Sequence, residues 1–246
     1  MDPSAYIEMQ ELEDSHWWFV ARRQIITDLL YQFCSPPCKI LEVGCGTGGN
    51  LTMLRQFGEL KAFEMDPSAL EMAHQKGVND VTLTLGVCPD RMPFEGEQFD
   101  LICLFDVLEH IKEDQKTLAL LKKYLKPQGK MIITVPAYSW LFGPHDQLLQ
   151  HHRRYSLAGL KKVIHHSGLK IQKISYFNTF LFPIAVVNRL IEQFLYRFNF
   201  TKRQTAVTKP NFIINSALRT IFAYERHVLR ISNVPVGLSL IGVLSA

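Results

Sequence analysis

Residues 40–50 read ILEVGCGTGGN, a short apolar run that ends in a cluster of glycines. Such a run is typical of a buried strand that turns into a ligand-binding loop. Gly44, Gly46 and Gly49 have the spacing G-x-G-x-x-G of dinucleotide-binding proteins, and Glu64 stands about where those proteins place the acid that binds a ribose. Because unrelated cofactor chemistries use such a turn, the spacing alone does not decide between a dehydrogenase and another class of enzyme.

Glu42 favours a cationic cofactor. In dinucleotide enzymes the residue two positions before the first glycine is usually apolar, because that strand is buried on both faces. Glu42 occupies this position, and a buried carboxylate needs a partner. S-adenosylmethionine carries an ammonium and a sulfonium group that would supply one. The sequence therefore predicts this cofactor, with S-adenosylhomocysteine as its product, and disfavours the dehydrogenase.

Composition sets broader limits. The chain has 246 residues, enough for one domain with a sizeable insertion, and its five cysteines are odd in number. Its acidic, polar start lacks the pattern of a secretory signal, so we expect a cytoplasmic protein. Cys34 and Cys38 lack a second pair at zinc-ligand spacing, and no metal is expected from them. From Tyr176 onward the chain is basic, which favours an anionic membrane face or an anionic substrate over a nucleic acid.

Short apolar runs alternate with helical patterns, as in an α/β protein with a doubly wound parallel sheet. We expect one domain, 1–246, made of a helical cap (1–37), a core sheet (38–177), a helical insertion (178–234) and a final strand (235–246). The predicted strands are 39–43, 60–64, 81–85, 99–105, 131–135 and 169–177, with a last one in 237–246. The predicted helices are 16–33, 50–57, 67–76, 114–125 and one that Ser156 caps, ending near His166.

The insertion contains two amphipathic patterns, 180–198 and 211–231, separated by the polar linker 201–209. Charged residues interrupt both patterns too early for a membrane span. Amphipathic helices usually pack on a core, but they also dock on membranes or apolar substrates. The sequence leaves both roles open, so peripheral contact with the inner face of a membrane is one expectation.

The stretch EVGCGTG (42–48) resembles motif I of the class I S-adenosylmethionine-dependent methyltransferases. AFEMDPSAL, RMPFEGEQFDLI, LFDVLEHI and LKPQGKMIITVP resemble later segments of that family, so the likeness covers roughly 38–136. HWWF, HHRRYS and the ending VPVGLSLIGV resemble a bacterial branch described only as type 11 or type 12 methyltransferases. The resemblance implies a Rossmann-like seven-stranded sheet of order 3-2-1-4-5-7-6, with the last strand antiparallel.

The resemblance also assigns the cofactor site. It implies that Glu64 accepts hydrogen bonds from the ribose hydroxyls and that Met65 lies beside the adenine. Glu42, Gly44, Cys45 and Gly46 would surround the methionine end of the cofactor, where the backbone approaches closely. Many relatives carry an aspartate after the third strand, whereas this chain has Val87 and Cys88, so backbone groups would bind the adenine edge. Phe105 and Asp106 end the fourth strand, and Asp106 either faces the ligand or caps a helix.

Methyl transfer is an in-line displacement that needs positioning, with a base if the nucleophile is a hydroxyl. Candidate bases are His145, Asp146 and His151 after the fifth strand and His110 after the fourth. The first three are also one conceivable metal site, although we expect no metal. Candidate substrate contacts are Arg153 and Arg154, which suit a phosphate or carboxylate, together with Tyr155, Trp17 and Trp18. The two tryptophans either cover the cofactor cleft or belong to the core.

We therefore expect a methyltransferase that acts on a small molecule, possible acceptors including amphipathic, lipid-linked and glycan-linked compounds. Amino-methylating members of the family commonly carry an Asn/Asp-Pro-Pro-aromatic motif after strand four. Here the sequence is FDVLEH (105–110), which favours an oxygen or carbon acceptor. The alternatives are an RNA or protein methyltransferase, which the basic charge suggests, and a non-catalytic subunit that binds the cofactor. The sequence gives no oligomeric state.

Overall fold

The computed structural model describes residues 3–197 and 209–246, and its centre is one seven-stranded sheet. The order is β3-β2-β1-β4-β5-β7-β6, and β7 runs antiparallel to both of its neighbours. The strands are β1 (Cys38–Val43), β2 (Gly58–Glu64), β3 (Val81–Leu85), β4 (Phe99–Phe105), β5 (Leu125–Pro136), β6 (Lys170–Phe177) and β7 (Ser239–Ser245). The predicted α/β class, Rossmann-like topology and strand order are confirmed.

Both faces of the sheet are buried, which explains the continuous apolar runs in its central strands. Successive residues of a strand point to opposite faces, so Ile40 belongs to one core and Leu41 to the other. The first core takes side chains from the helices Trp17–Phe33 and Phe212–Ile231, and the second from Asp114–Lys123 and Leu157–His166. The sheet is thus fixed from two sides, and its carboxyl-end edge is held rigidly.

Nine helices surround the sheet in the described ranges. They are α1 (Pro3–Leu12), α2 (Trp17–Phe33), α3 (Leu51–Arg55), α4 (Pro67–Gln75), α5 (Asp114–Lys123), α6 (Pro144–Leu148), α7 (Leu157–His166), α8 (Phe182–Arg197) and α9 (Phe212–Ile231). Short 3-10 helices follow β4 (Leu108–His110) and β5 (Ser139–Leu141). The sequence analysis did not predict α1, α6 or the 3-10 helices. It also placed the start of β5 six residues too late, because 127–129 are part of that strand.

Local capping explains where two helices begin. Asp66 accepts hydrogen bonds from the N–H groups of Ser68 (2.8 Å) and Ala69 (3.1 Å), and Pro67 occupies the first turn of α4. Ser156 accepts from Gly159 N–H at 3.0 Å, as its predicted role as the cap of α7 requires. The first of these caps directs the chain away from the sheet directly after Glu64, so that this side chain stays at the sheet edge.

The two helices of the insertion have different environments. α9 packs along α2, with Phe222 fully buried and its ring centroid 5.9 Å from that of Trp17. By contrast, α8 exposes roughly half or more of Ile184, Val187 and Ile191. Packing on the core thus accounts for one side of α9, which still exposes Phe212 and Ile213 at its start, and it does not account for the apolar side of α8. The predicted linker falls, except for Lys209, outside the described residues. Within the described ranges no helix has both the length and the apolar content to cross a bilayer.

Candidate active site

A cavity of about 980 Å³ opens where β1, β2 and β4 end. This edge of an open α/β sheet is the usual place for ligands. Most of the predicted site residues line the cavity: Gly44, Cys45, Gly46, Glu64, Met65, Val87, Cys88, Phe105, Asp106, Trp17, Trp18, His110, His145, His151 and Arg154. The other four, Glu42, Asp146, Arg153 and Tyr155, are not part of its wall. The fold therefore joins the predicted cofactor residues and most of the predicted acceptor residues in one space.

The glycine loop after β1 has a backbone that side chains do not tolerate. Gly44 and Gly46 have φ values of +68° and +54°, in the left-handed region. A Cβ on Gly44 would also lie 2.9 Å from Cγ2 of Val107. These glycines keep the loop narrow and leave its backbone exposed to the cavity.

Glu64 connects this loop to the end of β2. Its Oε2 accepts a hydrogen bond from Gly46 N–H at 2.9 Å, and its Oε1 accepts from Met65 N–H (2.9 Å) and Asp66 N–H (3.1 Å). The side chain is buried yet belongs to the cavity wall. Because Oε2 takes only one of these bonds, it keeps acceptor capacity for a ligand hydroxyl. Glu64 is thus fixed in place and able to bind.

The predicted direct contact of Glu42 with the cofactor is corrected. Glu42 lies outside the cavity wall, and its Oε1 accepts a hydrogen bond from Asn50 Nδ2 at 2.9 Å. Burial raises the pKa of this carboxyl to about 8, although the bond from Asn50 opposes the shift. An amide of the chain itself is therefore the partner of Oε1, whereas Oε2 is buried without a hydrogen-bond partner among the described residues. Asn50 does line the cavity, so Glu42 positions a residue of the wall.

Asp106 forms an ion pair that the sequence did not reveal. Its Oδ2 lies 2.7 Å from Nη2 of Arg22, and its Oδ1 accepts from Thr134 Oγ1 at 3.1 Å. Arg22 is buried, with its guanidinium 5.0 Å from the ring centre of Trp18. Asp106 caps no helix, because Val107 precedes the 3-10 helix without a side-chain cap. Trp18 and Arg22 instead bring α2 to the end of β4 as one side of the cavity.

Asp146 is an internal support and not a base, which corrects one prediction. It has no exposed surface, and it accepts from Gly143 N–H (2.9 Å), Arg154 Nε (2.8 Å) and His151 Nδ1 (2.9 Å). Burial alone would raise the pKa of Asp146, but the bonds from His151 and Arg154 outweigh it and hold the pKa well below its usual range. Its oxygens are occupied by donors, so the conceivable metal site of His145, Asp146 and His151 is also not formed.

Arg153 and Tyr155 are likewise corrected, since both bind Asp114 and not the cavity. Arg153 Nη1 lies 2.7 Å from Asp114 Oδ2, and its Nη2 donates to the carbonyl of Lys112 at 2.7 Å. Tyr155 is buried, and its hydroxyl donates to the same Asp114 oxygen at 2.9 Å. The dense polar cluster in the sequence therefore divides in two. One half ties the 151–155 segment to α5, and the other half, with His151 and Arg154, faces the cavity.

The acceptor side of the cavity contains two neutral histidines and a buried acid. Burial, with nearby His151, lowers the pKa of His110 to about 3, and burial, with Arg189, lowers that of His145 to about 3. Sequence reasoning missed Glu109, which also lines the cavity, has no exposed surface and has two carboxylate oxygens without a hydrogen-bond partner among the described residues. Burial and the Asp106 carboxylate raise its pKa well above the usual value.

A comparison with known protein families shows to which family the chain belongs. Residues 17–178, more than half of the chain, match a family of proteins described as a methyltransferase domain. The chain belongs to this methyltransferase family. The predicted class I family is confirmed, and S-adenosylmethionine is its cofactor. The HWWF and HHRRYS motifs that suggested one branch are not tested by the match.

Each individual relative matches only part of the sequence of this methyltransferase. It is 30% identical over 98 residues to the sterol 4-C-methyltransferase strm-1 of Caenorhabditis elegans, covering 38% of this chain and 29% of that protein. It is 31% identical over 107 residues to the mitochondrial ubiquinone biosynthesis O-methyltransferase of Schizosaccharomyces pombe, covering 41% and 39%. The chain thus spans well under half the length of either relative. The family match identifies the family, and these partial matches do not identify the acceptor molecule.

A solved structure supports the same fold over nearly the whole chain. The complex between the Haloferax volcanii Trm112 methyltransferase activator and a methyltransferase contains a chain that aligns with a TM-score of 0.63 and 17% identity. The alignment covers 99% of this chain and 94% of that chain. At this identity the likeness concerns the fold alone.

The methyltransferase cofactor fits the residues that are present. The narrow glycine loop, the fixed Glu64 carboxylate and a volume near 980 Å³ suit a nucleoside with an amino-acid tail. Sequence reasoning missed part of this wall, because α1 contributes Tyr6 and Met9 and the loop after β3 contributes Asp90. The sequence analysis looked for a carboxylate one or two residues after Gly86, whereas Asp90 lies four residues after it. A wider window after β3 would have found it.

Proposed function

We propose that this protein transfers the methyl group of S-adenosylmethionine to an oxygen or carbon atom of a small amphipathic molecule. One observation carries the proposal: a single cavity joins the Gly44–Gly46 turn and Glu64 to a wall that contains His110, His145 and His151. The first set suits a nucleoside cofactor, and the second offers imidazole nitrogens to an acceptor. Proximity of the two bound molecules is the main requirement of an in-line displacement.

The chain's own residues would bind and orient the cofactor. The exposed backbone of Gly44, Cys45 and Gly46 suits the carboxylate of the amino-acid tail, Glu64 the ribose hydroxyls and Met65 the adenine face. Val87 and Cys88 would contact the adenine through the backbone, and Asp90 supplies the carboxylate acceptor for its amino group. When bound, S-adenosylmethionine supplies a methyl group on a positively charged sulfur that leaves as a neutral sulfide.

The acceptor would lie against the opposite wall. Asp146 holds Nδ1 of His151, so that Nε2 points away from that carboxylate. Phe105, Trp17 and Trp18 give this space an apolar lining, and Arg154 adds one buried cation that already binds Asp146. Such a lining excludes water and favours an acceptor whose reacting group is polar and whose body is apolar.

The apolar side of α8 supports an acceptor of lipid character. Ala185 and Arg189 line the cavity, whereas Ile184, Val187 and Ile191 of the same helix are 61%, 55% and 51% exposed. An amphipathic helix at a cavity mouth, in a basic part of the chain, suits contact with an anionic membrane from which the acceptor enters. The names of the two relatives, which refer to a sterol and to ubiquinone biosynthesis, agree with this acceptor class.

Cofactor binding is tested by calorimetric titration with S-adenosylmethionine and S-adenosylhomocysteine. We expect both to bind the wild type, and Glu64→Gln to weaken binding by about tenfold or more, because a hydrogen bond to a charged group contributes roughly 1.5–3 kcal/mol. Glu59→Gln, an exposed position in the same strand, is the matched control and should bind like the wild type. Folded wild-type protein that binds neither compound would refute the proposed function.

Turnover and membrane contact need a second experiment. The protein and labelled S-adenosylmethionine are incubated with lipid and glycan extracts, and we expect transfer of the labelled methyl group to an extractable small molecule. Transfer of the methyl group to RNA or protein would contradict this acceptor class. Cofactor binding without any methyl transfer would favour a non-catalytic subunit. In liposome flotation with anionic lipid, the wild type should float and the double variant Ile184→Asp, Val187→Asp should not. Ile171→Asp, on an exposed strand position, is the control.

A further inference from the structure

Three side chains of metal-binding type meet in the acceptor wall. Glu109 and His110 belong to the 3-10 helix Leu108–His110, and His151 follows α6. One potential ligand atom of each residue lies within 4.8 Å of the others, and the two imidazole rings are 4.6 Å apart at an angle of 82°. All three residues line the cavity. Two separate segments therefore converge on one point beside the predicted acceptor position.

Glu109 is the residue that no protein partner explains. Its side chain is fully buried, and neither oxygen has a hydrogen-bond partner among the described residues. The nearby cations are engaged elsewhere, since Arg22 pairs with Asp106 at 2.7 Å and Arg154 with Asp146 at 2.8 Å. An isolated buried carboxylate is costly, so a buried acid takes up a proton, pairs with a cation or coordinates a metal. Glu109 thus has the environment of a ligand whose partner comes from outside the chain.

His151 and His110 are prepared for the same task. Asp146 Oδ1 lies 2.9 Å from Nδ1 of His151, which fixes the ring and leaves Nε2 as the free ligand atom. A carboxylate that holds the second nitrogen of an imidazole is the usual outer partner of a metal-bound histidine. His110 makes a backbone hydrogen bond with Gln150, which restrains its ring in the same way. Both rings are therefore oriented before any ion binds.

We propose that Glu109, His110 and His151 bind one divalent transition-metal ion, and that the open coordination positions of this ion bind the oxygen atoms of the acceptor. Two imidazoles and one carboxylate suit Zn²⁺ or Mn²⁺ better than Ca²⁺, and three protein ligands with an open position are typical of catalytic sites. Binding of the acceptor to the ion rests on the proposed methyl transfer, whereas binding of the ion to the three side chains does not.

The ion gives His151 a different role from that of a base. A hydroxyl bound to a divalent cation loses its proton more readily, and that proton passes to solvent. The oxygen then forms a bond to the methyl carbon while the carbon–sulfur bond breaks and its electron pair stays on sulfur. No oxidant or reductant takes part. The cluster would favour acceptors with an oxygen nucleophile, and more strongly those with a second oxygen adjacent to the first.

Metal binding is tested directly on the whole protein. After treatment with a chelator and its removal, the wild type is titrated with Zn²⁺ and with Mn²⁺ in a calorimeter, with Mg²⁺ for comparison, and its metal content is measured by mass spectrometry. We expect one ion per chain and a rise in the melting temperature on adding it. Glu109→Gln and His151→Ala should each weaken binding by about a hundredfold or more, since loss of an outer partner alone costs roughly 10–100-fold. His152→Ala, the exposed neighbouring histidine, should bind like the wild type.

The outcomes separate this proposal from the methyl transfer. Glu109→Gln conserves volume, so a melting temperature that matches the metal-free wild type shows that the variant is folded. Failure of the wild type to bind Zn²⁺ or Mn²⁺ in a one-to-one ratio overturns the metal site, and so does binding that both variants retain. If S-adenosylhomocysteine still binds in those cases, the proposed function stands without the ion. If neither the metal nor S-adenosylhomocysteine binds, both proposals fail.

Discussion

At the scale of single residues, Asp146 shows how a candidate base can be a structural support. Its carboxylate receives three hydrogen bonds, from a backbone N–H, an imidazole and a guanidinium, and it has no contact with solvent. A carboxylate whose two oxygens already accept three hydrogen bonds and whose pKa is low is a poor proton acceptor. Its importance is that it fixes His151 and Arg154 in the wall of the cavity.

Replacing Asp146 should therefore destabilise the fold. We expect Asp146→Asn to lower the free energy of unfolding by about 3–5 kcal/mol, because Arg154 is left as an uncompensated buried charge. Urea unfolding at neutral pH measures the change. Asp80→Asn, which removes the exposed partner of Arg55, is the control and should cost less than about 1 kcal/mol. Equal effects of the two variants would contradict the role of Asp146.

The same residue predicts a pH dependence. The folded-state pKa of Asp146 lies below its unfolded-state value, so its contribution is complete above the unfolded pKa and is lost as the pH falls toward the folded one. The difference in unfolding free energy between the wild type and Asp146→Asn should be constant above about pH 5 and shrink below about pH 4. Urea titrations across this range measure it. A difference that grows on acidification would show that the pKa is raised.

At the scale of elements, α1 is the part of the site that sequence patterns concealed. Its composition is polar and acidic, yet Ala5 and Tyr6 are buried and Met9 lies in the cavity wall. Sδ of Met9 is 3.9 Å from the position that a Cβ on Gly46 would occupy. The helix therefore covers the glycine loop, and it belongs to the cofactor site as much as the sheet does.

A charge on α1 should weaken cofactor binding. We expect Met9→Arg to reduce the affinity for S-adenosylmethionine by about tenfold or more, since like charges a few ångströms apart near a protein surface repel by more than about 1.4 kcal/mol. The loss for S-adenosylhomocysteine should be smaller, because its sulfur is uncharged. Ile7→Arg, a 51% exposed position on the same helix, is the matched control. Calorimetry that finds both variants unchanged would place the cofactor away from α1.

The sequence predicted the sheet well because strand periodicity and the glycine turn are local signals. It predicted the cavity residues at the ends of β1, β2 and β4 for the same reason, since parallel strands end at one edge. It failed at Glu109, Arg22 and Asp114, whose roles depend on partners distant in the chain. A histidine cluster such as 145–151 is visible in sequence, but which of its members face a cavity is decided by packing.

At the scale of the whole molecule, no disulfide cross-links the described ranges. The five cysteines are all free, including Cys34 and Cys38, which are close in the sequence. Burial raises the pKa of Cys34 and of Cys88 to about 12, so their thiols stay protonated and react slowly near neutral pH.

Reducing agents should therefore leave stability unchanged. We expect the melting temperature to differ by less than about 1 °C with and without dithiothreitol, because no covalent cross-link restricts the unfolded chain. Differential scanning calorimetry of freshly purified protein measures this. A marked fall in melting temperature on reduction would reveal a disulfide that the structure does not contain.

The position of β7 has a consequence for how the protein is made. Among the described residues, β7 is the last strand in sequence, yet it lies between β5 and β6, and no other described strand pairs with β6. On the ribosome, β6 has no partner strand until more than sixty further residues have been translated. During this time the hydrogen-bonding groups of its backbone are available to other chains. A nascent chain stalled before Ser239 should be cut by protease within 170–177, whereas a chain that includes Ser239–Ser245 should resist, so the sheet is completed only after β7 has been made.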